Sequence, residues 1–243
     1  LVIRCFMAKY PSEFEDGVEA WVSMGAPHQG GSGRIFEEFL RGYNLGMVLV
    51  EREIAKGLSV DAPAVYELFP NDAFPWKLSP FIAFSKDGKR YVYKAGPEIQ
   101  REDWYDNPIR EALRNNTREL PISKKTVAQP FNEGCWDLSR KTRDLIFNVK
   151  MPATVRFYNI YGVGKKTPLG MVFGNIKQLT DLNWEPYMTS WEDGDGTVIR
   201  ESSENPGEGM KPRISLAVEE THAGLLVNQE VVEFLVRAVH DNI

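Results

Sequence analysis

The order of elements in the last third of the chain constrains the fold most. Val155 to Tyr161 (VRFYNIY) is the clearest strand pattern, an apolar and aromatic run of strand length. A second run, Arg213 to Val218 (RISLAV), follows the acidic stretch EDGDGTV at Glu192 to Val198. Gln229 to His240 closes the chain as an amphipathic helix, with Val231, Phe234, Leu235 and Ala238 along one side. Near the start, Leu1 to Tyr10 reads as a helix ended by Pro11, and Val18 to Met24 (VEAWVSM) as a buried strand. Helix–strand at one flank and strand–acidic loop–strand–loop–helix at the other predict an α/β fold.

Between the flanks, about residues 30–150, the chain is aromatic and interrupted by prolines, and it reads as an insertion or cap. Helices are expected at Arg34 to Arg41, Gly46 to Lys56, Pro63 to Leu68, Asn107 to Arg114 and Trp136 to Asn148. A hairpin is expected over Pro80 to Lys94, where Asp87-Gly88 divides two apolar runs. Aromatics make up 12% of the 243 residues, which suits either a large core or an apolar cleft.

Charge and cysteine usage exclude several classes. The net charge of −5 and the lack of basic clusters argue against a nucleic-acid partner. No apolar run approaches the ~20 residues that span a bilayer, although a membrane surface stays open as a partner. Cys5 and Cys135 have no metal-ligand spacing and form no disulfide framework, which favours a reducing, intracellular setting. No cofactor is expected. Calcium fails on its own geometry: in an EF-hand loop starting at Asp193, the place that needs glycine for its sharp turn holds Val198.

Three histidines are present, His28, His222 and His240. His28 lies in a glycine-rich loop and His240 near the end of the last helix, where a cation suits the helix dipole. His222 follows a strand and precedes the last helix. Asp195, between two glycines, comes 27 residues earlier with one strand between. That is the order of acid and base in an α/β-hydrolase triad, nucleophile first, then acid, then His. A carboxylate held in a tight turn can accept from His Nδ1–H and stabilise the imidazolium. Glu192 and Asp193 read as solvent-facing turn residues. No serine in the chain fits G-x-S-x-G, and neither cysteine sits on an elbow, so the nucleophile is expected upstream of Leu1.

The motifs LVIRCFMAKYPSEF, WVSMGAPHQGG, VYELFP, FPWKLSPFIAF, FYNIYGVGKKTP, EDGDGTV and THAGLL, in this order, resemble the lecithin:cholesterol acyltransferase family, which also contains phospholipid:diacylglycerol acyltransferases and lysosomal and plant phospholipases A. FYNIYG and H-x-GLL are closest in flavour to plant-type members. The resemblance implies the C-terminal portion of an α/β-hydrolase core with a cap and lid, lacking the first strands and the elbow. It implies an acyl transferase or phospholipase acting on glycerophospholipid esters, with a sterol or other alcohol, or water, as acceptor. Asp195 matches the family's catalytic Asp and His222 its catalytic His. His28 to Gly33 begins its lid region, and the oxyanion donors lie upstream. The alternative is a non-catalytic lipid-binding or interaction fragment.

Overall fold

A computed structural model describes residues 1–42, 52–120, 123–185 and 187–240. Helices and sheets are mixed, as expected of an α/β chain compatible with a hydrolase-like core. The chain forms two units: Leu1–Gly30 with Arg140–Thr167 and Glu192–Ile243, and Gly31–Ser139 with Pro168–Trp191.

The first unit is built on a parallel sheet of three strands. β6 (Arg156–Gly162) is central, between β1 (Ala20–Met24) and β9 (Ile214–Val218). The register pairs Trp21 with Phe157 and Ile160 with Leu216. Alternation along β6 sends its side chains to two faces. Tyr158 and Ile160 pack with Val231, Phe234 and Ala238 of helix α9 (Gln229–Val239). Phe157 packs on the opposite face with Met7 of α1 (Val2–Lys9) and Phe14 of α2 (Pro11–Gly17). Both faces are covered, which is why β6 reads as a near-continuous apolar run. α9 begins at Asn228, whose side chain accepts from the N–H groups of Glu230 (3.0 Å) and Val231 (3.3 Å).

The second unit has a four-stranded sheet in the order β3-β2-β7-β8. β2 (Phe81–Lys86) and β3 (Lys89–Lys94) form the expected hairpin, with left-handed Asp87 and Gly88 at its tip. β7 (Lys165–Asn175) pairs parallel with β2, and β8 (Tyr187–Gly194) lies at the edge. The aromatic richness resolves as packing. Phe36 and Phe39 of α3 (Gly33–Arg41) are buried with Tyr66, Phe69, Tyr105, Phe131 and Trp136. Their rings meet at separations such as 4.6 Å for Phe39–Phe69 and 5.3 Å for Phe36–Tyr105 and Phe69–Trp136.

α5 (Pro63–Tyr66), α6 (Asp106–Leu113) and α7 (Glu133–Phe147) follow the sequence pattern closely. The helix expected over Gly46 to Lys56 lies partly outside the described residues; α4 (Arg52–Asp61) continues five residues further. A Cβ on Gly57, inside it, would stand 2.7 Å from the Arg118 side chain. A short hairpin of β4 (Thr117–Glu119) and β5 (Thr126–Ala128) was not legible, since neither strand has a buried face. Among the described residues no helix is long and apolar enough to cross a membrane.

Candidate active site

The parallel pairing brings the carboxyl ends of β1, β6 and β9 to one edge of the sheet, the place where α/β sheets gather their sites. Two glycines let the chain close in there. A Cβ on Gly162, the last residue of β6, would stand 2.5 Å from Asp195 Cβ and 2.7 Å from the Glu220 carbonyl oxygen. Gly25, one residue past β1, has φ +57, and its Cβ would lie 3.0 Å from His222 Nδ1. Asp195 and His222 are thus seated against the strand ends.

Asp195 follows β8 and occupies a turn closed by its own side chain. Oδ1 accepts from the N–H groups of Thr197 (2.9 Å) and Val198 (2.7 Å). Thr167 steadies the same turn, accepting from Gly196 N–H at 2.8 Å and donating to the Lys165 carbonyl at 2.9 Å. Oδ2 accepts from His222 Nδ1 at 2.8 Å, and the His222 N–H donates to the Asp195 carbonyl at 2.9 Å. The Asp195 side chain has no exposure, whereas that of His222 is 42% exposed. Val198 turns into the core, as its apolar character predicts.

This geometry has a chemical consequence. A carboxylate on Nδ1 fixes the tautomer and leaves the Nε2 lone pair free. The hydrogen bond that His222 donates to Asp195, reinforced by the carboxylate's charge, outweighs partial burial and raises the His222 pKa above the ordinary histidine value. Among the described residues Nε2 has no hydrogen-bond partner.

The other candidates fall elsewhere. Asp193 and Glu192 are half-buried residues of β8 rather than solvated turn residues. Asp193 accepts from Gly164 N–H at 2.6 Å and faces Arg200 at 3.7 Å, so it ties β8 to the loop after β6. His240 caps the C-terminal end of α9. Cys5 and Cys135 are free thiols. His28 is buried beside Arg4, Ser23 and Asn159, with Arg4 Nη2 at 2.8 Å from its Nδ1. Burial first, and the Arg4 cation second, press its pKa down to about 3.

The sequence pattern did not reveal Arg4, Asn159, Thr167, Gly25 or Gly162. One signal existed for Arg4, since it shares a helix face with apolar Met7. Gly25 and Gly162 each directly follow or end a strand, a position where close approach is a standing reason for glycine.

A family model described as lecithin:cholesterol acyltransferase matches residues 1–222. Phospholipase A(1) LCAT3 of Arabidopsis thaliana is 30% identical, over 97% of this chain and 54% of its own length. Lecithin-cholesterol acyltransferase-like 4 of the same plant is 27% identical, over 97% of this chain and 46% of its own length. The chain therefore spans about half the length of these curated relatives.

Proposed function

The chain belongs to the lecithin:cholesterol acyltransferase family, and from that premise we propose that it supplies the acid and base of a lipid acyltransferase or phospholipase acting on glycerophospholipid esters. Asp195 is the acid and His222 the base. The nucleophile is a serine N-terminal to Leu1. The observation that carries this reading is the 2.8 Å bond from His222 Nδ1 to the buried Asp195 carboxylate, with Nε2 left open. The upstream serine is supported by the lack of any G-x-S-x-G in residues 1–243 and by the greater length of the relatives. The cap or lid role of about residues 30–150, and an α/β-hydrolase core completed by upstream strands, rest on the family and belong to the same proposal.

The residues would act as follows. His222 Nε2 takes the serine hydroxyl proton as the serine oxygen attacks the acyl carbonyl. The tetrahedral adduct collapses, its C–O bond to the lysophospholipid breaks, and that oxygen takes the proton back from Nε2. The acyl-serine is then attacked by water or an alcohol, whose proton passes to Nε2 and on to the departing serine oxygen. Asp195 stays ionised throughout and holds the imidazolium in register. The product is a free fatty acid with water, or a new ester with a sterol or other alcohol. Substrate is drawn from a membrane surface.

Acyl release from phosphatidylcholine vesicles by the full-length protein tests the reading. Asp195→Asn and His222→Ala are each expected to lower the rate by about 10³-fold or more. Full activity in either variant contradicts the assignment. A full-length protein that binds vesicles and releases no acyl chain would make this a lipid-binding module instead. Adding sterol to the vesicles separates hydrolysis from transfer.

A further inference from the structure

The buried polar cluster around His28 stands apart from the acid–base pair but touches the segment that carries it. Every polar side chain in it is buried: Arg4, Ser23, His28, Gln29, Asn159, Ser202 and Ser203. Its bonds have a fixed direction because Arg4 can only donate. Arg4 Nη2 donates to the Pro206 carbonyl at 2.6 Å and to His28 Nδ1 at 2.8 Å. Nδ1 is therefore the acceptor, and the ring proton sits on Nε2. Nε2–H donates to Asn159 Oδ1 at 3.1 Å, which also accepts from the Ser23 hydroxyl at 2.8 Å. With its oxygen so engaged, the Asn159 amide must present its NH₂ to the Ser203 carbonyl, at 2.8 Å. The residue after His28 adds to the grip. Gln29 N–H donates to Ser202 Oγ at 3.1 Å, and Gln29 Nε2 donates to the Asn205 carbonyl at 2.7 Å.

The bonds from Arg4, Asn159 and Gln29 end on one stretch, helix α8 (Arg200–Ser203) and its exit through Pro206, and His28 joins Arg4 to Asn159. That stretch is the far anchor of the acid turn. Ser202 N–H bonds the Ile199 carbonyl at 3.0 Å, Gly194 bridges to Ile199, and Asp195 N–H bonds the Val198 carbonyl at 3.2 Å. Resting on the function proposed above, we infer that His28 is a positioning residue for the Asp195 turn. With Arg4 and Asn159 it fixes α8, and through α8 the direction in which the Asp195 carboxylate meets His222.

The test uses the full-length protein, with kcat, KM and the pH profile of acyl release from phosphatidylcholine vesicles. His28→Leu removes both ends of the relay. It is expected to lower kcat by about 10- to 100-fold through misplacement of the acid, with KM within about two-fold. It should also move the acid-side inflection of kcat/KM downward, because the His222 pKa depends on its bond to Asp195. His28→Gln can accept from Arg4 and donate to Asn159, so it should restore most of both. A His28→Leu protein with a lower melting temperature but unchanged kcat and inflection overturns the inference, and so does failure of His28→Gln to restore them. If His28→Leu does not fold, Gln29→Leu keeps the histidine and removes the bond to Asn205. It should lower kcat by roughly three-fold, and an unchanged kcat overturns the inference. His222→Ala run alongside separates the two proposals. If it stays active, the proposed function fails. If it is inactive while His28→Leu keeps kcat and inflection, only the positioning role falls.

Discussion

His28 and His222 both follow strands of the same parallel sheet, yet their surroundings push them in opposite directions. His28 is buried, and the charge beside it is the Arg4 guanidinium. Burial and that cation both disfavour the imidazolium, so the ring is a neutral strut with both nitrogens committed. His222 has a buried carboxylate on Nδ1 and an open Nε2. There the neighbour favours the imidazolium, and the free nitrogen can exchange a proton with a reactant. The sign of the partner and the access of the second nitrogen separate a structural histidine from the proposed base. Burial alone does not, since the partner of the exposed histidine is itself buried.

The largest test removes the sign. Asp195→Asn keeps an acceptor for the Thr197 and Val198 N–H groups but turns an amide toward His222, and acyl release by the full-length protein should fall by about 10³- to 10⁴-fold. The next alters placement alone. Gly25→Ala puts a methyl 3.0 Å from His222 Nδ1 at a left-handed backbone position. A displaced ring should lower kcat by about 10- to 100-fold with secondary structure intact by circular dichroism.

A third contrast lies in stability against pH. The folded pKa of His28, about 3, is below its unfolded value of 6.5. Between these values the unfolded chain binds the proton and the folded chain does not. Stability is therefore lost as pH falls below about 6.5, by about 1 kcal/mol per pH unit from this group. His28→Gln should flatten that slope in urea melts. The sign reverses for His222. Its raised pKa adds stability that is complete below the unfolded value and is lost as pH rises through the folded one. The smallest effect is expected at Asp193, whose ion pair with Arg200 joins two partly exposed side chains at 3.7 Å. Asp193→Asn should leave acyl release within about three-fold, since such pairs contribute about 1 kcal/mol or less.

Some of this contrast was legible in the sequence. β1, β6, β9 and α9 announce themselves because burial on a sheet face or helix stripe imposes a period on the side chains. Asp195 and His222 followed from their order around β9. β7, the longest strand of the described chain, was missed because Pro168 and Gly170 interrupt it and both of its faces mix polar with apolar residues. Its Gly170 approaches the Phe81 backbone closely, a tertiary cause no local pattern carries. The His28 cluster was hidden for a similar reason. Its members come from α1, β1, the loop after β1, β6 and α8, and only the fold brings them together. Asp193 and Glu192 looked like turn residues because acidic residues beside glycine usually are. The structure instead uses them to finish a strand.

Titration of the two histidines by NMR, in full-length protein labelled at histidine, tests the central contrast most directly. Resonances would be assigned with His28→Gln and His222→Ala. His222 should titrate above the ordinary histidine value and shift downward in Asp195→Asn, while His28 stays neutral until the pH nears 3. Two histidines titrating alike near the ordinary value, with no response to Asp195→Asn, would contradict the account.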